Sequence, residues 1–216
     1  MEGDGVLTTA PEVGPDLHED GATEGLLNNG TIMLHMEQNL SLDIISALLS
    51  GELHARGLAK KLETNHMTVA RKLGELVGEN ALDFRVEGRN KVYFLKKGPE
   101  ARGYALMAEL HKLNQALKRY PELRKIVESV QVDGRVKLAV LFGSYAKGAA
   151  TRGSDIDLFV ETTDRGLKRE FELLNSRLSV KIGTYDSSSP LAKEIEKNHV
   201  ILKGAELFHE KASIFG

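Results

Sequence analysis

The chain contains no cysteine and no tryptophan, and only five of its 216 residues are proline. The lack of cysteine excludes disulfide bonds and thiolate metal sites, and it is typical of proteins that work in a reducing compartment. No apolar run approaches the roughly 20 residues of a membrane-spanning helix, and the N-terminus lacks the basic and then apolar pattern of a secretory signal. We therefore expect a cytoplasmic protein with no membrane partner.

Charge is distributed unevenly along the chain, although the net charge is only −2. Residues 1–30 contain seven acidic side chains and no Lys or Arg, whereas the rest of the chain has 29 Lys and Arg against 24 acids. The first segment is also rich in Gly, Pro, Thr and Asn, and we predict that residues 1–38 form a disordered acidic tail. Such a tail either keeps the protein soluble or mimics nucleic acid and shields a basic surface.

Residues 39–98 show the pattern of three short helices followed by a hairpin. Leu42, Ile45, Leu48 and Leu49 give one helical stripe, and the later segments predicted are helices at 55–62 and 65–78 and strands at 82–86 and 91–95. Thr64 and Asn65 offer N-cap chemistry for the third helix. This order of elements resembles a winged helix-turn-helix domain.

The resemblance to a winged helix-turn-helix implies binding of double-stranded DNA, with the third helix in the major groove. Arg and Asn can read guanine and adenine edges, while Lys and Thr suit phosphates. Residues 41–98 contain ten Lys and Arg against seven acids, a modest excess for a DNA-binding domain, so a protein-interaction role stays open. The candidate DNA-binding residues are Asn65, His66, Thr68, Arg71, Lys72 and Arg89.

Residues 99–132 are predicted to form linker helices, interrupted at Pro121. Leu106, Leu110, Leu113 and Leu117 are spaced by 4, 3 and 4, which is the spacing of a coiled-coil seam. Two heptads are too few to establish a dimer. A homodimer and a helix packed on its own domains are both compatible with the pattern.

Residues 133–216 alternate between strand and helix patterns. Strands are predicted at 136–142, 156–161, 179–184 and near 200–208, with helices at 144–150, 165–177 and 190–197. This pattern indicates a mixed-sheet α/β domain. The fold class is therefore a two-domain protein that combines α+β and α/β parts.

The most informative segment is 140–160, in which two apolar runs flank a turn of small residues. Asp155 and Asp157 lie two apart on a predicted strand, so their side chains share one face, roughly 6–7 Å apart. Gly143 and Ser144 form a turn into a predicted helix, where backbone N–H groups favour anions. Two carboxylates beside such a turn can hold a divalent metal ion against a phosphate.

The sequence Gly143-Ser-Tyr-Ala-Lys-Gly148, followed after a spacer by Ser154-Asp-Ile-Asp-Leu158, resembles the signature of minimal nucleotidyltransferases of the DNA polymerase beta superfamily. The resemblance implies an Mg²⁺-dependent transferase that uses an NTP such as ATP as substrate, with a two-metal site as an option. It makes Asp155 and Asp157 the catalytic metal ligands. The implied phosphate-binding residues are Gly143, Ser144, Lys147, Arg152 and Ser154.

The third carboxylate of active members is not found on the next predicted strand, where Lys181 takes its place. A lysine there is expected to pair with Asp155 and Asp157 and to compete with a metal ion. Two functions are therefore considered. One is a nucleotidyltransferase with an unknown acceptor, and the other is a catalytically impaired, DNA-binding regulator or antitoxin-type protein with a cognate partner protein. In a third and simpler interpretation, Ser154 and the two acids only cap a turn.

Overall fold

The computed structural model describes residues 39–215, so the predicted tail at 1–38 lies outside the described residues. The N-terminal part begins with three helices and a small sheet. In chain order these elements are α1 (39–49), β1 (Leu53–His54), α2 (Ala55–Lys61), α3 (His66–Gly78), β2 (Leu82–Glu87) and β3 (Asn90–Leu95). The predicted three helices and hairpin are confirmed, and the ends that were predicted differ by at most one residue.

The small sheet has the order β1-β3-β2 and is antiparallel throughout. Its hairpin register places Phe84 opposite Tyr93, and the two rings pack with centroids 5.7 Å apart. Helix α3 begins after Asn65, whose side chain accepts a hydrogen bond of 2.7 Å from the Met67 N–H. The two-residue strand β1 was not predicted, because so short a segment carries no periodicity.

A long helix connects this part to the rest of the chain. Helix α4 (Pro99–Arg119) ends before a single 3₁₀ turn (Pro121–Leu123), and α5 (Arg124–Val132) follows, which confirms the predicted interruption at Pro121. Ala108 of α4 belongs to the N-terminal core, whereas Leu113 and Ala116 belong to the next core. The leucine stripe is not a uniform seam, because Leu113 is buried and Leu110 is 60% exposed.

The C-terminal part is built on a four-stranded mixed sheet, as the sequence predicted. Its order is β6-β5-β4-β7, with β5 and β6 parallel and the other pairs antiparallel. The elements are β4 (Leu138–Phe142), α6 (Gly143–Ala146), β5 (Ile156–Glu161), α7 (Leu167–Glu172), β6 (Leu178–Ile182), α8 (Pro190–Lys197), β7 (Val200–Lys203) and α9 (Ala205–Lys211).

Helices cover both faces of this sheet. One face packs against the end of α4, α5 and α7, and the other packs against α8 and α9. Every residue of β4 is therefore buried, which explains its uninterrupted apolar sequence. Along β5 the faces alternate, so that Ile156 and Leu158 point to one side while Asp157 and Phe159 point to the other.

Three predicted elements differ clearly from the observed ones. The helix predicted at 165–177 is much shorter, because α7 covers only Leu167–Glu172. Helix α6 has four residues instead of seven, because Gly148 takes a left-handed conformation with φ of +69°. The segment predicted as a strand near 200–208 is a strand to Lys203 and then helix α9, since Gly204 at φ of +80° turns the chain. None of the described helices is long and apolar enough to cross a membrane.

Candidate functional site

The two acids of the motif lie at the start of β5, on the face that α8 and α9 cover. Asp155 precedes the strand and is exposed, and Asp157 is its second residue and is half-buried. In the sheet, Asp157 lies opposite Phe142 of β4 on one side and Ser179 of β6 on the other. The acid pair therefore stands where β4 ends and the Gly143 turn begins.

Gly143 and Asp157 are in direct contact. Gly143 has φ of +69°, and a Cβ added there would overlap Oδ2 of Asp157. Only glycine satisfies both conditions, because it adopts positive φ without strain and has no side chain to collide with the carboxylate. The requirement for glycine thus comes from Asp157 as well as from the turn.

The surroundings of Asp157 carry an excess of negative charge. Burial raises the pKa of Asp157, and the nearby carboxylates of Asp155 and Glu194 raise it further, while Lys181 lowers it. Glu194 lies on α8, far from the motif in sequence, and pattern reasoning did not identify it. A positive charge bound between these carboxylates would relieve the repulsion that raises this pKa.

Lys181 lies on the same sheet face as Asp157. It does not form an ion pair with Asp155 or Asp157, so it does not occupy the place of a metal ion. The lysine is opposite Phe159, two residues beyond Ser179, and its side chain is exposed. Within residues 39–215 it makes no ion pair of 4.0 Å or less with Asp155 or Asp157. The expected ion pair is therefore absent from the described part, although the lysine does act on Asp157 electrostatically.

The remaining predicted phosphate-binding residues make no hydrogen bond or ion pair with Asp155 or Asp157 in the described range. Ser154 has a turn-forming role, since its Oγ accepts a hydrogen bond of 2.9 Å from the Thr151 N–H. Lys147 is exposed at the end of α6, and Arg152 is exposed in the following loop, where its carbonyl oxygen accepts a hydrogen bond from Arg177. Ser144 is half-buried and its carbonyl accepts a hydrogen bond from the Ala149 N–H.

The acid pair fits one hard cation and not two. Mg²⁺ is commonly held by one or two carboxylates together with substrate phosphates, which is what Asp155 and Asp157 offer. No cluster of three or more His, Asp or Glu side chains suited to a metal ion occurs in the part of the chain that the structure describes. The described residues therefore provide no further carboxylate that could hold the second metal ion of a two-metal site.

The candidate DNA-binding side chains of α3 are only partly presented to solvent. His66 is exposed, Thr68 is half-buried, and Asn65 uses its side chain to cap the helix. Arg71 is exposed but lies 2.5 Å from Glu75. Lys72 differs from the exposed orientation that the sequence predicted.

Lys72 is only 7% exposed, and its ammonium pairs with Glu75 at 2.7 Å. It shares a helical face with the buried residues Val69, Leu73 and Leu76, so its aliphatic part packs in the core. Arg89 of the hairpin turn is exposed. Of the predicted set, His66, Arg71 and Arg89 therefore offer the most accessible polar groups.

A buried charge cluster on α4 was not predicted. Glu109 is 1% exposed and lies 2.8 Å from Lys112, 3.3 Å from His199 and 3.8 Å from His209. Burial raises the pKa of Glu109, but His199, His209 and Lys112 outweigh it, so the pKa lies well below its ordinary value. The sequence signal was present, because Glu109 occupies the apolar face of α4 with Ala105 and Leu113.

Comparison with protein families gives one match. Residues 123–203 match the family model of the nucleotidyltransferase domain. This segment runs from the 3₁₀ turn to the end of β7, and it includes Gly143, Asp155 and Asp157. The match supports the resemblance in the C-terminal part. No curated protein gives a significant match.

Three of the solved structures that resemble the chain each cover 42–50% of it. A toxin–antitoxin structure with AMP-PNP is 24% identical over 44% of this chain and 86% of that one, with a TM-score of 0.31. The adhesin competence repressor of Streptococcus pyogenes is 24% identical over 50% and 92%, with a TM-score of 0.31. A homodimeric winged helix-turn-helix domain from Mycobacterium bovis is 20% identical over 42% and 86%, with a TM-score of 0.30. These scores are too low to carry an argument.

Proposed function

We propose that the protein is a divalent-metal-dependent nucleotidyltransferase that moves an NMP group from an NTP to a hydroxyl group. The observation that carries this proposal is the contact between Gly143 and Asp157. It places a half-buried carboxylate beside a glycine turn, where burial and then the carboxylates of Asp155 and Glu194 raise the pKa of Asp157. The match of residues 123–203 to the nucleotidyltransferase domain supports the same conclusion.

The residues of the site divide the work of binding. Asp155 and Asp157 would hold Mg²⁺, which supplies charge neutralisation for the triphosphate and for the leaving pyrophosphate. The turn at Gly143 lets the phosphate chain approach the backbone closely, and Ser144 follows it. Lys147 and Arg152 are exposed cations on the same loop and can bind phosphate oxygens.

Lys181 has a defined place in this proposal. Because it shares a sheet face with Asp157 and has no carboxylate partner within 4.0 Å among residues 39–215, its ammonium is available to a phosphate. We assign to Lys181 the neutralisation of phosphate charge. In a two-metal site, a second metal ion held by a third carboxylate would have this role.

A thermal shift measurement tests the proposal without requiring turnover. The melting temperature of the wild type should rise when Mg²⁺ and an NTP are added together, because a ligand at 100 times its Kd stabilises by about 2.7 kcal/mol. Asp157→Ala should lose this shift, and Gly134→Ala should keep it, since Gly134 is exposed and has open space around it. Labelled NTPs then test transfer, and equal labelling by wild type and Asp157→Ala would exclude it.

The position of Lys181 also favours a second candidate, a DNA-binding regulator or antitoxin-type protein with weak or no transferase activity. A cation on the face of Asp157 reduces the charge available to a metal ion. His66, Arg71 and Arg89 offer accessible polar groups on α3 and the hairpin for double-stranded DNA. Binding of a duplex library at about 0.1 M salt tests this candidate, and an affinity that Arg71→Ala does not reduce would count against it.

A further inference from the structure

A groove separate from the acid pair runs between two sets of helices. Helices α1 and α4 form one wall, and α6, α8 and α9 form the other. The groove consists of three adjoining cavities of about 540, 300 and 600 Å³, each lined in part by Lys112 and His199. We call this surface the interhelical groove, and neither the acid pair nor Lys181 lines it.

The interhelical groove is strongly basic. None of its six exposed cations lies within 4.0 Å of a carboxylate in the described range 39–215. Its two lining acids are engaged, since Asp43 pairs with His111 at 3.3 Å and Glu196 accepts a hydrogen bond from Tyr185. The six cations are Lys61, Lys118, Arg119, Lys147, Lys193 and Lys197.

Arg119 shows how this charge is held in place. A Cβ added to Gly148 would come to 3.0 Å from Nη1 of Arg119, so the guanidinium lies against a glycine backbone at φ of +69°. The guanidinium carbon is 5.8 Å from the centroid of the Tyr120 ring. Because Arg119 is positioned by a backbone and a ring instead of a carboxylate, its N–H donors are available to an anion.

We propose that the interhelical groove binds a single strand of nucleic acid through its phosphodiester backbone. Its cations line three successive cavities, and each cavity has the size of a small-molecule site, so a nucleotide alone would use only part of the charge. A basic groove that follows a backbone is the usual mode of single-strand binding. Its aromatic residues Tyr120, Tyr145 and Phe208 are buried, so charge, and not stacking, provides the affinity.

The groove adjoins the acid pair through two helices. Helix α6 begins at Gly143, against Asp157, and its last residue Ala146 lines the groove. Helix α8 carries Glu194, which acts on Asp157, and it also carries Lys193 and Lys197 in the groove. The same two helices therefore contribute both to the groove and to the surroundings of Asp157.

This second step rests on the proposed function: the end of the bound strand is the acceptor. Its terminal hydroxyl oxygen forms a bond to the α-phosphorus of the NTP. The bond from that phosphorus to the bridging oxygen of the β-phosphate breaks, and pyrophosphate leaves while the hydroxyl proton passes to water. The strand is extended by one nucleotide.

Fluorescence anisotropy of the whole protein with a labelled strand of about 12 nucleotides tests binding, in EDTA and without an NTP. We expect the logarithm of the binding constant to fall by about 0.7 for each phosphate contact when the salt concentration rises tenfold. The double variant Lys118→Gln/Lys197→Gln should show a salt dependence that corresponds to about two fewer phosphate contacts. Its affinity for the strand should fall at least tenfold. The control variant Lys125→Gln/Lys137→Gln removes two exposed charges outside the groove, and it should leave the salt dependence and the affinity unchanged.

Four results would overturn the proposal. These are no strand binding, equal loss in both double variants, tighter binding of a duplex that Arg71→Ala abolishes, and full competition by ATP at a phosphate concentration equal to that of the strand. The two proposals fail separately. If the strand does not bind but Mg²⁺ and an NTP still raise the melting temperature, only the groove proposal is excluded. If the strand binds but Mg²⁺ and an NTP do not raise the melting temperature, the transferase function and the acceptor role of the strand are excluded.

Discussion

The carboxylate of Asp157 lies directly against the α-carbon of Gly143, so that the acid of one strand and the turn of its neighbour form a single unit. The two residues are 14 positions apart in the chain: Gly143 directly follows β4, and Asp157 lies on β5, the antiparallel neighbour of β4. The site therefore depends on a backbone position as much as on its acids.

Substitution of Gly143 by alanine should remove ligand binding and destabilise the fold. The new Cβ would overlap Oδ2 of Asp157, and the positive φ would add strain of about 1–3 kcal/mol. We expect a lower melting temperature and no thermal shift with Mg²⁺ and an NTP. Gly88→Ala, at φ of +60° with no described atom within 4 Å of the new Cβ, separates backbone strain from the collision. A retained ligand shift in Gly143→Ala would contradict the assignment.

Replacement of Asp157 by asparagine should stabilise the metal-free protein at neutral pH. The folded state raises the pKa of Asp157 above its ordinary value of 3.8, so ionisation costs stability as pH rises above that value. The neutral amide of Asp157→Asn would avoid this cost, and thermal unfolding in EDTA at pH 7 should show an equal or higher midpoint. Asp186→Asn is a control of opposite sign, because hydrogen bonds from Ser188 lower the pKa of Asp186. A clear loss of stability in Asp157→Asn would be the contrary result.

Exchange of Lys181 for aspartate should strengthen metal binding. The substitution removes a cation from the face of Asp157 and adds a third carboxylate there. Charge interactions near a surface are worth about 1–4 kcal/mol, so the affinity for Mg²⁺ or Mn²⁺ should rise on the order of tenfold. Titration calorimetry measures this effect, and Lys125→Asp controls for net charge. Unchanged affinity would mean that Lys181 does not act on the metal site.

The sequence predicted the elements whose pattern is local and missed the features that arise from packing. The alternation in β5 and the N-cap at Asn65 are properties of a few neighbouring residues, and both are confirmed. Helix α9 was missed because a four-residue strand and a seven-residue helix merged into one apolar segment at Gly204.

The same distinction applies to the candidate site. Asp155, Asp157 and Gly143 were found from their spacing, and the sheet does bring Gly143 and Asp157 together. Glu194 and the free position of Lys181 depend on where α8 and β6 pack, which no short motif encodes. Lys72 was named as a candidate for DNA contact but is buried, because its long aliphatic chain packs in the core while its ammonium reaches Glu75.

Glu109 should be essential for stability although it lies in neither proposed site. Glu109→Gln would leave the half-buried Lys112 beside a neutral amide, and since loss of one member of a fully buried ion pair costs about 3–5 kcal/mol, we expect a loss at or below that range. Glu128→Gln, at an exposed position of α5, should cost far less. Urea denaturation at pH 7 measures both.

The pH dependence of the wild type provides a second measurement of Glu109. Because its folded-state pKa lies below the ordinary value of 4.5, its contribution is complete above that value and is lost as pH falls further below it. The wild type should therefore lose stability below about pH 4.5 more steeply than Glu109→Gln. Parallel acid profiles for the two proteins would show that the carboxylate is not held by Lys112, His199 and His209.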